Sequence, residues 1–245
     1  VRRMSDLARE LPVQLLLPDA SELIFGPPGD RRNAMDWGLF HVEHGFRDLS
    51  RDYSQSLKQR NALLRRSQMG DVRPNRELAP WTEKVASLGE TLSECRAEYV
   101  RRLSPIFAQT MQTLSPALEL NIDYQPGFEP GKLRVQLEED TLREIKLGTT
   151  RYGPHRADLR IRALDRSAGS VLSRGQGKIG AFAIRLAQSQ DLLESTGIAP
   201  VFLVDDVGAE LDNEHNQRLL EFLRSLQSQV LATTALEQLP WNSSW

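Results

Sequence analysis

Residues 201–206, Val-Phe-Leu-Val-Asp-Asp, limit the fold of this chain more than any other stretch. Four consecutive apolar residues entered through Pro200 read as a short strand buried on both faces. Such strands belong to parallel sheets with helices packed over them. In open α/β sheets, ligands sit at the carboxyl ends of the strands. This strand ends there in two carboxylates, Asp205 and Asp206. One can hold Mg²⁺ through its water shell, and the second can orient an attacking water. A strand running into an Asp-rich turn is the plain alternative for these six residues alone.

The neighbouring sequence adds to the nucleotide reading. Ala209-Glu210-Leu211-Asp212 follows three residues later. A strand, two acids and an x-Glu-Leu-Asp turn is the order of Walker B and D-loop in ABC-type ATPases. Asp212 is also a good N-cap for a helix beginning at Asn213, and both readings can hold. About thirty residues before the strand stands Leu172-Ser173-Arg174-Gly175-Gln176, which matches the ABC signature Leu-Ser-x-Gly-Gln. Ser173 can cap the helix behind it. Gly175 lets another backbone approach, and the free amides with the helix dipole favour an anion. An ordinary N-cap is the alternative for the triplet by itself. No Gly-x-x-x-x-Gly-Lys-[Ser/Thr] occurs in the 245 residues. Gly175-Gln176-Gly177-Lys178 only resembles one, because Leu172 stands where the first Gly belongs and Ile179 follows the Lys. A complete ABC ATPase carries its P-loop on an N-terminal strand. The chain opens on Val1, so we expect that segment to precede it.

Composition removes several classes. Hydrophobic residues are 40% and charged residues 26%, ordinary for a globular protein. No apolar run approaches the roughly 20 residues of a membrane helix. The N-terminus lacks the apolar segment of a secretory signal. Cys95 is the single cysteine, which excludes a disulfide framework and a Cys-based metal cage. A reducing cytoplasm is the expected location. Net charge is −2 but uneven: residues 47–102 carry 12 cations and 8 acids, residues 151–185 carry 8 and 2, and residues 186–245 carry 2 and 9. A basic block beside an acidic one suggests phosphate on one side and a metal or partner on the other. Arg outnumbers Lys 26 to 5. Arg suits bidentate phosphate contacts, and genome composition is the alternative.

The periodicity predicts the remaining elements. Residues 11–17 read as a buried strand ended by Pro18-Asp19. Gly26-Pro27-Pro28-Gly29-Asp30 reads as a tight loop, with a helix from about Asn33. Residues 46–67 and 80–114 read as long amphipathic helices. A linker containing Arg73-Pro74-Asn75 joins them into an antiparallel hairpin. Asn121–Tyr124, Leu133–Leu137 and Leu159–Arg162 alternate like strands, and Thr141–Leu147 reads as a short helix. Helix Gln176–Leu193, strand 201–204, helix Asn213–Leu226 and strand Gln229–Thr234 complete the alternating α/β part. In Gly153-Pro154-His155-Arg156 a turn and a basic loop facing phosphate are equally supported. His155 has no His or Cys near it in sequence and is a poor metal ligand. Arg31 and Arg32 are a solvated pair, arm anchors or DNA contacts.

The chain resembles the RecF family, SMC-like ABC-type ATPases of bacterial DNA replication and repair. Four segments carry the resemblance: Pro18-Asp19 through Trp37-Gly38, Leu57-Lys58-Gln59-Arg60-Asn61-Ala62-Leu63-Leu64, Gly153-Pro154-His155-Arg156-Ala157-Asp158-Leu159, and the signature-to-D-loop run. Pro27 and Ala34 depart from the family pattern, as does the end Trp241–Trp245. The resemblance implies an α/β fold: an ABC-type, SMC-like P-loop ATPase head with an inserted helical arm, its P-loop segment absent from this chain. It implies residues 1–32 as the end of the N-terminal lobe, 33–145 as the arm and 146–245 as the rest of the head. It implies ATP and Mg²⁺ as cofactors and a homodimer formed on ATP. One subunit's Ser173, Arg174, Gly175, Gln176 and Asp212 then close on nucleotide bound by the other. It implies Asp205 as the Mg²⁺-shell carboxylate, Asp206 as the catalytic group and Asp19, at the Q-loop position, as a second Mg²⁺-shell contact. The implied partners are single-stranded DNA and gap junctions, and RecR, RecO and RecA. A slow ATPase switch in recombinational repair, replication restart and the SOS response follows. Two alternatives remain: a head lacking its P-loop that acts as a scaffold, and an ABC transporter ATPase, which the long arm disfavours.

Overall fold

The computed structural model describes residues 4–69, 74–206, 211–226 and 228–234. Helix α1 (Met4–Glu10) leads into strand β1 (Val13–Leu16), then α2 (Glu22–Phe25), α3 (Pro28–Val42), α4 (Phe46–Gln68) and α5 (Pro74–Leu114). Strand β2 (Leu120–Gln125), α6 (Leu133–Glu139), α7 (Thr141–Leu147), β3 (Asp158–Ala163) and β4 (Arg166–Ser167) follow. Helix α8 (Arg174–Thr196), β5 (Val201–Val204), α9 (Asn213–Ser225) and β6 (Val230–Ala232) end the order. Among the described residues no helix is long and apolar enough to cross a membrane.

The chain divides into two compact units. The first comprises residues 1–42, 100–123 and 160–245, and the second residues 43–99 and 124–159. Residues 33–42 and 100–123, drawn into the arm on sequence, fall in the first unit. The division cuts α5, β2 and β3. Strands β2, β3 and β4 form one sheet in that order, with β3 and β4 antiparallel.

In the first unit β5 lies between β1 and β6, all parallel. Leu16 pairs with Val204 and Val204 with Ala232. Helix α8 is the central support and packs against β1, α2 and α3. Its burial runs nearly unbroken from Gly177 to Ser189, which no amphipathic surface helix shows. Two glycines let neighbours come this close. A Cβ on Gly177 would sit 2.4 Å from the Phe25 ring, and one on Gly180 would sit 2.9 Å from Leu120. Polar ties fix the helix: Gln14 donates to Arg185 O at 2.9 Å, Gln188 donates to Ala34 O at 2.7 Å, and Arg102 forks onto Asp191. Among the described residues, the opposite sheet face is uncovered. Leu15, Leu203 and Leu231 form one row across the three strands and stay 45%, 37% and 54% exposed. Parallel sheets are ordinarily covered on both faces.

The second unit is helical, and three sequence expectations change in the molecule. Leu133–Leu137 is helix α6, not a strand. Leu133 and Leu137, four residues apart, are both fully buried, and Glu90 accepts from the amides of Gly131 and Leu133 at the helix start. Five alternating residues are too few to fix the period, and burial of Leu133 and Leu137 on one stripe decides it. Pro74-Asn75 opens α5 rather than lying in a linker, since Pro suits a first helical turn. Likewise Pro28-Gly29-Asp30 forms the first turn of α3, so that helix begins five residues before Asn33. Arg31 stabilises this start by donating to Gly26 O at 2.8 Å.

Candidate nucleotide-binding and signature site

The two carboxylates stand where β5 ends. Leu16 O of β1 accepts from the Asp205 amide at 3.0 Å, so β1 carries Asp205 one residue past the strand. The chain then turns sharply: Asp206 has φ 51°, the left-handed region that Asp tolerates better than most residues. Thr233, just after β6, joins both acids. Its hydroxyl donates to Asp205 Oδ1 at 2.6 Å and accepts from the Asp206 amide at 2.9 Å. Sequence reasoning ended the last strand at Thr234 and missed Thr233. The available signal was a Thr directly after the strand next to the one bearing the acids.

Asp19 leaves the same sheet edge, since β1 and β5 are parallel with Leu16 opposite Val204. It lies in a short 3₁₀ turn, Pro18–Ser21, packed on α8. There it lines a groove of about 590 Å³ with Ser21, Glu22, Phe25, Leu172 and Arg174. The fold thus brings Asp19 together with two signature residues. Among the described residues no three His, Cys, Asp or Glu side chains gather as a metal site.

The signature forms the start of α8. Ser173 and Gln176 make a reciprocal capping box: Ser173 Oγ accepts from the Gln176 amide at 3.3 Å, and Gln176 Oε1 accepts from the Ser173 amide at 3.0 Å. Ser173, Arg174 and Gln176 are exposed, and Gly175 is half-buried. The amides of Arg174 and Gly175, in the first turn, have no acceptor within the helix. Lys178, the lysine of the P-loop look-alike, is buried with its ammonium 5.8 Å from the Phe182 ring. It is a core residue, not a phosphate ligand.

Asp212 is the N-cap of α9. It accepts from the His215 amide at 2.9 Å and from His215 Nδ1 at 2.7 Å. The His215 amide, then its ring, hold the Asp212 carboxyl below its ordinary value. Ala209 and Glu210 of the D-loop lie outside the described residues.

The two remaining sequence motifs meet inside the second unit. Arg60 is fully buried, with Nη1 2.6 Å from Glu144 Oε2 and further donations to Thr82 and Thr150 hydroxyls. Asn61 Oδ1 accepts from the amide and hydroxyl of Thr150. His155 Nε2 reaches Thr150 O at 3.1 Å, while Nδ1 meets the Tyr53 hydroxyl at 2.7 Å. Nε2 therefore carries the proton and Nδ1 accepts. Arg96 donates to Pro154 O at 2.7 Å. Gly153 has φ 134°, and a Cβ there would sit 2.7 Å from the Tyr53 oxygen. Burial raises the Glu144 pKa, opposed by Arg60, and burial also raises that of Tyr53. These motifs build the unit around Thr150, and only Arg156 of the second is exposed.

The residues present fit part of a nucleotide site. Asp205 offers the hard oxygen donor Mg²⁺ takes, on a carboxylate already oriented by a hydroxyl. The signature offers exposed helix-start amides for an anion. The amides and Lys that cradle β- and γ-phosphates are not among these residues.

Strand-end carboxylates beside β1 and a capped signature helix under a parallel sheet define an ABC-type ATPase head. No family profile matches the chain. Curated relatives do. It is 40% identical over 230 residues to the DNA replication and repair protein RecF of Marinomonas sp., covering 94% of this chain and 61% of that protein. With RecF of Pseudoalteromonas atlantica it shares 38% over 237 residues, or 96% and 64%. The chain spans less than two thirds of the length of these relatives and is similar to them across that stretch. Two solved structures share its fold at 24% identity. The recombination mediator RecF with ATP gives TM-score 0.85 over 98% of this chain and 66% of that one, and a second RecF nucleotide complex gives 0.84.

Proposed function

We propose that this chain supplies the signature and Walker B portion of a RecF-type ATP switch that binds DNA in recombinational repair and replication restart. The carrying observation is the signature: Ser173 and Gln176 are satisfied by each other yet remain exposed at the α8 start. An N-terminus so placed can meet a phosphate brought by a second molecule. In the complete protein Ser173, Arg174, Gly175 and Gln176 would contact the γ-phosphate of ATP held by the other head, with Asp212 beside the same interface. Bound Mg²⁺ would supply neutralising charge for phosphoryl transfer. Asp205 and Asp19 hold its water shell in this reading, and Asp206 polarises the attacking water. A Glu is usual at that second position in ABC ATPases, and the shorter Asp agrees with a slow switch. The uncovered leucine row supports a P-loop segment packing over that sheet face.

DNA at single-strand gaps is the substrate in this reading, RecR and RecO are partners, and RecA loading is the outcome, in the cytoplasm. A scaffold that does not bind ATP is the second reading. The test is binding of the complete protein to gapped DNA. ATP is expected to tighten binding and produce dimers, and ADP is not. Equal binding with ATP, ADP and no nucleotide would support the scaffold instead.

A further inference from the structure

We propose that Thr233 is a positioning residue that holds the Asp205 carboxylate and the Asp206 backbone ready for hydrolysis. The inference rests on the reading of Asp205 and Asp206 as the hydrolytic pair. A threonine hydroxyl has one proton to donate and lone pairs to accept with. Here each capacity is used on a different acid. The proton goes to Asp205 Oδ1 at 2.6 Å, a short bond to an ionisable acceptor. The lone pair takes the Asp206 amide at 2.9 Å, at the residue whose φ is 51°. Left-handed backbone costs free energy in a non-glycine residue and persists only where surrounding contacts hold it. Thr233 supplies such a contact, so the direction in which Asp206 leaves the strand depends on β6.

The anchor of Thr233 is itself firm. Its amide donates to Val204 O at 2.9 Å, continuing the β5–β6 ladder one residue past Ala232. The last residue of the acid-bearing strand and the hydroxyl that orients the acids are thus locked in register. A shift of β6 against β5 would move the Asp205 carboxylate and the Asp206 backbone together.

Two substitutions separate the hydroxyl from the shape of the side chain. Thr233→Val keeps the branched shape and removes both bonds, and Thr233→Ser keeps the hydroxyl. In this chain, amide exchange at Asp206 reads the backbone bond directly. Protection should fall about tenfold or more in Thr233→Val and stay near the original in Thr233→Ser. In the complete protein, Thr233→Val should lower kcat and raise the Mg²⁺ concentration for half-maximal hydrolysis by about 10–100-fold, with KM for ATP little changed. Thr233→Ser should restore both. Equal Asp206 exchange in the original and Thr233→Val chains overturns the inference. Equal losses in both variants with an unchanged Mg²⁺ requirement also overturn it, since poorer folding would do that. Asp205→Asn separates the premises. If it is inactive while Thr233→Val is normal, only the positioning role fails. If it retains full turnover, the carboxylate reading fails and takes this inference with it.

Discussion

Replacing Glu144 by Ala should destabilise the helical unit far more than a typical single substitution. Arg60 and Glu144 are fully buried, and the guanidinium meets the carboxylate at 2.6 Å. Without Glu144 the buried cation keeps, among the described residues, neutral acceptors: Thr82, Thr150 and, at 3.5 Å, Leu137 O. Removing one partner of such a pair costs about 3–5 kcal/mol. The Arg151 amide also loses Glu144 Oε1, its acceptor at 2.7 Å, for about 1 kcal/mol more. Domains are stable by only about 5–15 kcal/mol, so the loss is a large share. The pair itself is not a large net gain, because burial raises the Glu144 pKa against the pull of Arg60. Arg60→Met with Glu144→Leu should therefore recover most of the loss. Native-state amide exchange across α4, read as opening free energy, measures both variants. A loss below about 1 kcal/mol in Glu144→Ala, or a double variant worse than the single one, would refute this reasoning.

Calorimetry of this chain with Mg-ATP should show weak binding or none, because the phosphate-cradling loop is not in its sequence; micromolar affinity would mean that another site binds the nucleotide. In the complete protein Asp206→Asn should abolish hydrolysis while sparing ATP binding and dimerisation, and normal turnover would remove Asp206 from the chemistry. Burial, then Arg9, lowers the His41 pKa from 6.5 to about 4. The unfolded chain therefore takes up a proton near pH 6.5 and the folded one only near pH 4. Stability of the first unit should fall as pH drops through that window, by about 1–2 kcal/mol after discounting for partial exposure. Urea midpoints at pH 7.5 and 4.5 measure the fall, and it should shrink in His41→Gln.

The strand 201–204 was legible because four apolar residues ending in two acids fit one place in a parallel sheet, and the pairing with β1 and β6 agrees. The long helices 46–68 and 74–114 were legible in period, the first also at its start, while the second and α3 begin earlier than the sequence suggested. Pro28 and Pro74 read as breakers, although proline also opens helices. Leu133–Leu137 failed for a different reason: its environment, including Glu90 forty-three residues away, sets the period. At the site, Ser173 was legible as a cap, while the reciprocal bond from Gln176 appears only in the structure. The link from Thr233 to Asp205 spans twenty-eight residues and follows from register, which no local pattern encodes. The same holds for the buried pairing of Arg60 with Glu144.

The most direct test of the ATP-switch account is sedimentation of the complete protein carrying Ser173→Asp, with ATP and with ADP. Asp caps a helix about as well as Ser, so α8 and its first turn should remain folded. The added carboxylate would stand beside the amides of Arg174 and Gly175, where the account places the γ-phosphate of the other head. Like charges repel there. A parallel melting curve should match the original protein, and ATP binding by each monomer should be nearly intact. The account predicts that ATP then fails to produce dimers. A Ser173→Asp protein that melts normally and still dimerises with ATP would contradict it.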